Sequence, residues 1–374
     1  MNVLIAWWDW TGYMDACAKE LQRLLSCNLD IVCLEGGDKN APFSETQFFL
    51  YPCKSYTLNG EALDTLRKKD YDLILFCGWS VDAYRELARI NKRRAVRILC
   101  MDNQWKGSLR QYLGVAVFRA HLRSLYDAAF VPGGRQARFA SYMGFASDEI
   151  IEGHYACADT FAQQAEAQSA PSFLFVGRLV PEKGLNELAA AWRAYTERNK
   201  DPWRLKICGT GPLSGVFAEL PNTELMGFIQ PSQLPGVMAS SSALVLPSLQ
   251  EPWGVVVMEA TRSGLGLLLT TVCGAADYFL RDRLNGRLVP PGDVNALCEA
   301  LEWFHELDAA SLERVRQKSV MLSTQRTPLT WACAVSRALS LGPSRLAQSK
   351  TKRRLRGFRS SAGSRRALYK GPAT

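Results

Sequence analysis

The stretch PSLQEPWGVVVMEAT, Pro247 to Thr261, places two glutamates in apolar surroundings. Glu251 follows the strand-like run Ala243–Leu246, and Glu259 lies inside the apolar segment that opens the next predicted helix. A carboxylate there is unfavourable unless it is paired or meets a ligand or water. In parallel α/β sheets, ligands bind beyond the carboxyl ends of the strands. The stretch therefore predicts a parallel α/β sheet with a binding site at that edge.

Short apolar runs alternate with amphipathic, helix-length segments through most of the chain, which is the pattern of βαβ units. In the first half the predicted strands are Val3–Trp8, Leu29–Leu34, Leu73–Cys77, Val96–Met101 and Ala128–Val131. After a polar segment at 163–171, the pattern restarts with Phe173–Val176, Leu205–Cys208, Leu225–Phe228, Leu244–Leu246 and Leu267–Thr270. We therefore predict two α/β domains, at 1–165 and 170–325, that enclose a cleft.

Composition indicates a globular protein, with 47% hydrophobic and 22% charged residues among 374. No window is apolar enough for a membrane helix, and the first residues resemble a core strand more than a signal peptide. Eleven cysteines without paired spacing favour reduced thiols, and three distant histidines form no metal-ligand pattern. We expect a cytoplasmic location.

The net charge of +9 is unevenly distributed. Residues 343–374 contain ten basic and no acidic residues, and residues 85–138 contain twelve basic against three acidic ones. The segment 342–374 lacks the apolar residues for a core, and we expect it to be a disordered basic tail. A solvated helix face would explain the cations at 85–138. The functional alternative is that residues 85–138 and 345–370 bind an anionic membrane surface. No nucleic-acid partner is expected, because no groove-reading motif or aromatic platform accompanies the charge.

Four loops that follow predicted strands of the second half combine glycine with cations or helix starts. They are Gly177–Gly184, Gly209–Pro212, Pro247–Gly254 and Cys273–Ala276. Glycine allows backbone N–H groups to approach a ligand, and helix N-termini attract anions. Arg178 and Lys183 add full positive charge. Together these loops predict a diphosphate site, with Glu251 and Glu259 placed to accept hydrogen bonds from the hydroxyl groups of a linked sugar and ribose.

An ordered set of residues over about 172–308 resembles the retaining glycosyltransferases of family 4, also called group 1. The set is Gly177-Arg178, Glu182-Lys183-Gly184, Gly209-Thr-Gly-Pro212, Gly227, Pro247-Ser248, Glu251, Glu259, Gly264, Asn285-Gly286 and Pro291-Gly-Asp293. The resemblance implies the GT-B fold, two facing Rossmann-like domains with a cleft between them. It also implies that the segment 326–341 contains a helix crossing back to the first domain.

The resemblance also implies residue roles on the donor side. Arg178 and Lys183 would bind the diphosphate of a nucleotide sugar and stabilise the leaving group, beside Gly209 and Gly211. Glu251 would bind the transferred sugar next to the backbone of Trp253 and Gly254, and Glu259 would bind the ribose. Arg178, Lys183 and Glu251 are the predicted catalytic residues. No cofactor beyond the donor substrate is expected.

The first domain departs from the family pattern. One glycine, Gly12, stands where many members have a pair, and Asp102-Asn103 stand where many have a histidine. Asp9, Gly12, Asp102, Asn103 and His154 are acceptor-side candidates, although such residues also cap helices and form turns. Asp70-Tyr-Asp72 matches a metal-binding Asp-x-Asp, but it precedes a strand, so we interpret it as a turn and predict no metal.

The resemblance implies transfer of a sugar, with retained anomeric configuration, to a glycan, glycolipid or lipid-linked hydroxyl in polysaccharide or lipopolysaccharide synthesis. We expect this transfer to be independent of a metal ion. A nucleotide-sugar 2-epimerase of the same fold is an alternative, although it would need acid–base groups on both faces of the sugar. A non-catalytic nucleotide-sugar-binding protein is the other alternative.

Overall fold

The computed structural model describes residues 1–34, 51–162 and 170–341. Most of the predicted polar linker and the whole basic tail, at 163–169 and 342–374, lie outside the described residues. The described residues form two parallel sheets, each with its own hydrophobic core. The prediction of an α/β protein with two parallel sheets is confirmed.

The first sheet has the strand order β3-β2-β1-β4-β5-β6-β7. Its strands are β1 (Asn2–Trp7), β2 (Asn28–Cys33), β3 (Cys53–Thr57), β4 (Leu73–Cys77), β5 (Val96–Cys100), β6 (Ala128–Val131) and β7 (Ile150–Glu152). Central strands such as β4 and β5 are buried along their whole length, because helices cover both faces of a parallel sheet. The edge strands β3 and β7 were missed by the sequence analysis because they carry no continuous apolar run.

The helices of the first domain are α1 (Gly12–Leu25), α2 (Gly60–Arg67), α3 (Asp82–Ile90), α4 (Leu109–Val117) and α5 (Gly134–Tyr142). Two of them begin at side-chain caps. Asn59 accepts a hydrogen bond from Ala62 N at 2.8 Å, and Ser108 accepts one from Gln111 N at 3.3 Å. The start of α4 is therefore fixed by its own sequence.

The second sheet has the order β10-β9-β8-β11-β12-β13. Its strands are β8 (Ser172–Val176), β9 (Arg204–Cys208), β10 (Thr223–Gly227), β11 (Ala243–Leu246), β12 (Gly266–Thr270) and β13 (Gly286–Val289). Its helices are α6 (Leu185–Arg198), α7 (Leu234–Ala239), α8 (Val255–Arg262), α9 (Ala276–Phe279), α10 (Val294–His305) and α11 (Ala309–Ser323). The order of the strands reverses beside β1 in the first sheet and beside β8 in the second. Ligands of such sheets bind at these switch points.

The last described helix, α12 (Pro328–Ala338), returns to the first domain. Its buried residues Trp331, Ala332 and Val335 belong to the first core, and it packs on α1. The indole Nε1 of Trp331 donates a hydrogen bond to His154 O at 2.6 Å. No helix within the described ranges is long and apolar enough to cross a bilayer.

Polar contacts hold the carboxyl edges of the two sheets against each other. Gln104 Nε2 donates to Pro252 O at 2.7 Å, and Gln136 Nε2 donates to the same oxygen at 2.5 Å. Arg135 forms a bidentate pair with Asp277, at 2.6 and 2.7 Å. The loop after β11 is therefore tied directly to the first domain.

The predicted basic face at 85–138 is smaller in the structure than in the sequence. Arg97 is buried and forms a bidentate pair with Asp127, so it belongs to no surface. Four other cations of this segment are paired with carboxylates, Arg85 with Asp82, Arg94 with Asp70, Arg123 with Glu149 and Arg135 with Asp277. Five of the twelve cations are therefore paired with carboxylates, Arg85 within its own helix and the other four through partners at least 24 residues away.

Replacing Asp127 by asparagine should destabilise the protein by about 3–5 kcal/mol, because it leaves the buried Arg97 guanidinium without a counter-charge. Asp70→Asn removes the exposed partner of Arg94 and should change stability by less than about 1 kcal/mol. Urea unfolding followed by circular dichroism measures both. Equal stabilities of the two variants would contradict the buried pair.

Candidate active site

The loops beyond the second sheet form one connected structure. Glu182 O accepts hydrogen bonds from the N–H groups of Leu249 and Gln250, at 2.9 and 3.2 Å, which joins the loop after β8 to the loop after β11. Leu179 N donates to Thr210 O at 2.8 Å and joins the first of these to the loop after β9. The loops predicted from separate motifs therefore converge at the switch point of this sheet.

Close backbone approach explains the glycines of the Gly-x-Gly loop. Gly209 has φ +140°, and a Cβ there would lie 1.8 Å from Gly177 O. Gly211 has φ +155°, and its Cβ would lie 2.4 Å from Leu179 O. No other residue fits at either position without moving the backbone of the neighbouring loop.

Lys183 and Glu251 form the centre of the site. The Lys183 ammonium lies 2.6 Å from Glu251 Oε2, and the two side chains are only 17% and 9% exposed. Ser248 Oγ donates a second hydrogen bond to the same oxygen at 3.2 Å. The buried carboxylate is thus balanced by a cation from another loop, which explains how the chain tolerates Glu251 at the end of a strand.

Arg178 stands apart from this pair. Its side chain is 53% exposed, and its guanidinium lies 3.4 Å from Glu182 Oε1 in the same loop. In the described residues it contacts neither Lys183 nor Glu251. The structure therefore brings together two of the three predicted catalytic residues and places the third at the solvent side of the same loop.

Helix α8 begins directly after Glu251. Gly254 adopts a left-handed conformation, with φ +92°, and a Cβ there would lie 3.3 Å from Glu251 Cγ. Within the described chain, the N–H groups of Trp253 and Gly254 have no acceptor. The Trp253 side chain is buried and packs against Tyr155 and Tyr278, with ring centroids 6.4 and 5.4 Å away. Trp253 therefore offers its backbone, and not its ring, to a ligand.

Glu259 lies on α8 and is partly buried. Burial raises the pKa of its carboxyl to about 7. No hydrogen bond or ion pair with another described residue compensates this burial. Of the two glutamates in the opening stretch, Glu251 has a cationic partner and Glu259 has none within the described ranges.

A cavity of about 310 Å³ lies beyond β1, β4 and β5 of the first sheet, at its switch point. Four of the five acceptor-side candidates line it: Asp9, Asp102, Asn103 and His154. Gly12, the first residue of α1, lies between the lining residues Thr11 and Tyr13. Sequence reasoning missed the aromatic lining, which comprises Trp7, Trp8, Tyr13 and Tyr155. Trp7 and Trp8 are adjacent at the end of the first predicted strand. Their position at the carboxyl edge of the sheet could have indicated an aromatic lining.

Asp102 connects this cavity with the second domain. Tyr155 donates a hydrogen bond to Asp102 Oδ2 at 3.1 Å. Burial raises the pKa of the Asp102 carboxyl, and the negative charge of Glu251 raises it further. Gln104, two residues after Asp102, donates to Pro252 O at 2.7 Å, so the segments that carry Asp102 and Glu251 are joined directly across the cleft.

His154 is buried between Trp7, Phe130 and Tyr155, with ring centroids 5.5, 5.3 and 4.4 Å away. Burial lowers its pKa to about 3, so the imidazole is neutral near pH 7. Its Nδ1 has no hydrogen-bond partner in the described chain. His154 can therefore offer a neutral polar atom but not a positive charge.

Several residues of the family-like pattern are structural. Asn285 is buried and donates hydrogen bonds to Phe279 O and Ser319 Oγ, at 2.9 and 3.1 Å. A Cβ at Gly286 would lie 1.8 Å from Leu267 O, so only glycine permits the pairing of β13 with β12. These two residues build the sheet edge and do not line the site.

Asp70 and Asp72 lie at the opposite, amino edge of the first sheet. Asp72 Oδ2 accepts a hydrogen bond from Asn2 N at 2.8 Å, and Asp70 Oδ1 lies 2.9 Å from Arg94. They are thus far along β4 from the cleft. In the described ranges no group of three or more His, Cys, Asp or Glu side chains is arranged to hold a metal ion.

Residues 158–319 match the sequence profile of the family described as glycosyl transferases group 1. Alpha-D-kanosaminyltransferase of Streptomyces kanamyceticus is 28% identical over 217 residues, which is 54% of this chain and 53% of that protein. Sulfoquinovosyl transferase of Arabidopsis thaliana is 32% identical over 130 residues, 33% of this chain and 24% of that protein. The matched region thus spans about half or less of these relatives.

Solved structures share the fold over nearly the whole chain. HepE of Anabaena, in complex with UDP and glucose, superimposes with a TM-score of 0.67 at 15% identity, covering 91% of this chain and 99% of that one. A glycosyltransferase from Rickettsia africae gives a TM-score of 0.66 at 12% identity, covering 91% and 97%.

The predicted GT-B fold is thereby confirmed, whereas the assignment to family 4 within this group stays a prediction. The chain is thus a protein of the GT-B fold, and residues 158–319, which include most of its second domain, match the glycosyl transferases group 1.

Proposed function

We propose that the protein is a retaining, metal-independent glycosyltransferase that uses a nucleotide diphosphate sugar. The observation that carries the proposal is the Lys183–Glu251 pair beside the N-terminus of α8, facing Asp102 of the first domain. A cation and unpaired backbone N–H groups suit a diphosphate, and an adjacent carboxylate suits sugar hydroxyls. The match to the group 1 glycosyl transferases and the UDP bound to the structurally similar HepE support this donor class.

In the proposed reaction the acceptor hydroxyl attacks the anomeric carbon from the face that the diphosphate leaves. The bond from the anomeric carbon to the phosphate oxygen breaks, the new glycosidic bond forms, and the hydroxyl proton passes to the departing phosphate. Lys183, Arg178 and the α8 N-terminus stabilise the charge that develops on this phosphate. Glu251 orients the sugar through its hydroxyl groups, and Glu259 binds the ribose. No side chain is required to form a covalent intermediate.

The cavity of the first domain is the proposed acceptor subsite. Its lining combines aromatic rings with the carboxyl groups of Asp9 and Asp102, and it contains no lysine or arginine. Aromatic rings pack on the apolar faces of sugars, while carboxylates accept hydroxyl hydrogen bonds. The same carboxylates repel phosphate and uronate groups. We therefore propose a neutral sugar as the acceptor group.

The acceptor itself is proposed to be a glycan, glycolipid or lipid-linked sugar of polysaccharide or lipopolysaccharide synthesis. Seven cations of the segment 85–138 have no carboxylate partner in the described residues: Arg89, Lys92, Arg93, Lys106, Arg110, Arg119 and Arg138. Such a surface suits attachment of a cytoplasmic protein to the inner face of a membrane.

Lys183→Ala and Glu251→Gln should each lower kcat/KM at least 100-fold, because each removes a group that contacts the transferred sugar or the leaving diphosphate. A thermal-shift panel of nucleotide sugars identifies the donor, and release of free sugar or transfer to an acceptor gives the rate. Arg204→Ala and Glu224→Gln are matched controls, since these residues form an exposed pair elsewhere in the same domain.

Both site variants also leave a shielded charge unpaired, so near-UV circular dichroism must confirm their folding. Folded variants with wild-type rates would refute the assignment of the site. Formation of an epimer from the donor would identify a 2-epimerase, and tight donor binding without turnover would identify a non-catalytic binder.

Donor affinity should rise about tenfold between pH 6 and pH 8, because the Glu259 carboxyl with a pKa of about 7 is mostly protonated at the lower pH. Only the carboxylate can accept hydrogen bonds from both ribose hydroxyls. Isothermal titration calorimetry with the identified nucleotide sugar measures the dependence. Glu259→Gln should flatten it, whereas the exposed Glu299→Gln on α10 should not. A pH step that survives in Glu259→Gln would assign it to another group.

Asp102→Asn should raise the acceptor KM at least tenfold and leave the donor KM within twofold of the wild type. The reason is that the amide weakens hydroxyl recognition in the first domain without altering the donor loops. Initial rates against a panel of neutral sugars and sugar phosphates test this. Preference of the wild type for sugar phosphates would rule out the neutral-sugar subsite.

A further inference from the structure

Helix α4 packs Val115 against the first core but exposes a second apolar face to solvent. Leu109, Tyr112, Leu113 and Val117 are 75%, 59%, 61% and 56% exposed. They follow the spacing i, i+3, i+4 and i+8, which places them on one face of a helix. Such a stripe normally faces the core, but here it faces solvent, and α4 buries none of its residues. Contiguous exposed apolar surface of this kind marks an interaction site.

A polar anchor fixes this orientation. Gln111, on the protein-facing side of α4, donates from Nε2 to Gln104 O at 2.7 Å and accepts from Lys106 N at 2.7 Å. The ring of Tyr112 packs edge-on against Trp105, with centroids 4.8 Å apart. Rotation of α4 to bury its apolar stripe would break both hydrogen bonds of Gln111. The apolar stripe is therefore a built feature of the surface.

The surroundings of the apolar stripe are cationic. Four exposed cations flank the stripe, and none has a carboxylate partner in the described chain. They are Lys106, Arg110, Arg119 and Arg138. From Asn103 to Tyr126 the sequence contains no Asp or Glu. The basic segment 343–374, with ten cations and no acidic residue, is electrostatically unsuited to cover it. An anionic and apolar partner is required.

We propose that α4 docks on an anionic lipid bilayer, with Leu109, Tyr112, Leu113 and Val117 inserted among the acyl chains near the headgroups. The flanking cations then contact the lipid headgroups. An amphipathic helix lying in the interface binds through buried apolar area and through attraction to anionic lipid together. On α4 the apolar stripe supplies the buried apolar area, and the flanking cations supply the attraction to anionic lipid.

Docking of α4 also affects the cavity of the first domain, because the helix begins close to that cavity. The segment between β5 and α4 contains Asp102 and Asn103, which line the acceptor cavity, and Gln104, which binds Pro252 O. The docking helix thus starts at the rim of the cleft. If the proposed function holds, docking brings the acceptor cavity to the membrane surface, so the acceptor is lipid-linked. The docking itself does not depend on that function.

The test is co-sedimentation of the full chain with vesicles of phosphatidylcholine alone or with 30% phosphatidylglycerol. We expect at least tenfold tighter binding to the anionic vesicles. The double variant Leu109→Asp/Leu113→Asp should lose at least tenfold in affinity for them. The matched control Leu284→Asp/Met321→Asp, at residues 58% and 54% exposed in the second domain, should bind within twofold of the wild type.

Equal binding to both kinds of vesicle would overturn the proposal, as would wild-type binding by Leu109→Asp/Leu113→Asp, which would assign attachment to the basic tail. A concentration-dependent dimer in sedimentation velocity, abolished by the same double variant, would make a second copy the occupant. Donor hydrolysis without lipid should be unchanged in the double variant. Absence of hydrolysis in the wild type would refute the proposed function and leave the vesicle result standing.

Discussion

The contact between Lys183 and Glu251 is the constraint on which the second domain depends. A largely buried carboxylate is tolerated only if a cation and further hydrogen bonds satisfy it. The two residues come from the loops after β8 and β11. These loops must therefore bring the Lys183 ammonium within 2.6 Å of Glu251 Oε2. The backbone hydrogen bonds that Glu182 O accepts from the loop after β11 hold the two loops together. Gly184 permits the approach, because a Cβ there would lie 2.1 Å from Pro247 O. Gly184 therefore serves the geometry of the charged pair, whether or not a ligand is bound.

The same loop also determines how the two domains face each other. Pro252 O, one residue after Glu251, accepts hydrogen bonds from Gln104 and Gln136 of the first domain. Because Gln104 lies two residues after Asp102, these bonds set the separation of the two carboxyl groups across the cleft. The raised pKa of Asp102 reflects this proximity in part. A relative rotation of the domains would thus alter the site electrostatically as well as sterically.

Local sequence pattern predicted the converging loops of the second domain, whereas it did not predict the aromatic lining of the cavity in the first domain. The candidates of the second domain lie close to apolar strands and glycines in the sequence, so Lys183, Glu251 and Glu259 could be selected from local pattern. Their roles toward a donor stay predictions. The strands β3, β7 and β13 were missed because edge strands are short or half-polar. Trp8 and Tyr155 reach the acceptor cavity from segments far apart in the chain. The sequence did not reveal which cations at 85–138 are paired, because contacts such as that of Arg97 with Asp127, thirty residues away, are tertiary.

The distribution of charge over the cleft constrains the direction in which substrates can bind. Lys183, Arg178 and the N-terminus of α8 are all on the second domain, whereas Asp9 and Asp102 lie in the first. A diphosphate placed in the first domain would meet two carboxylates, and this repulsion disfavours the reversed orientation even where the cavity has room. A neutral acceptor group meets no such barrier. The cationic surface around α4 begins at the rim of the cleft, where Lys106 Nζ donates a hydrogen bond to Gln250 Oε1 at 2.8 Å. Anionic groups are therefore attracted to this rim as well as to the second domain.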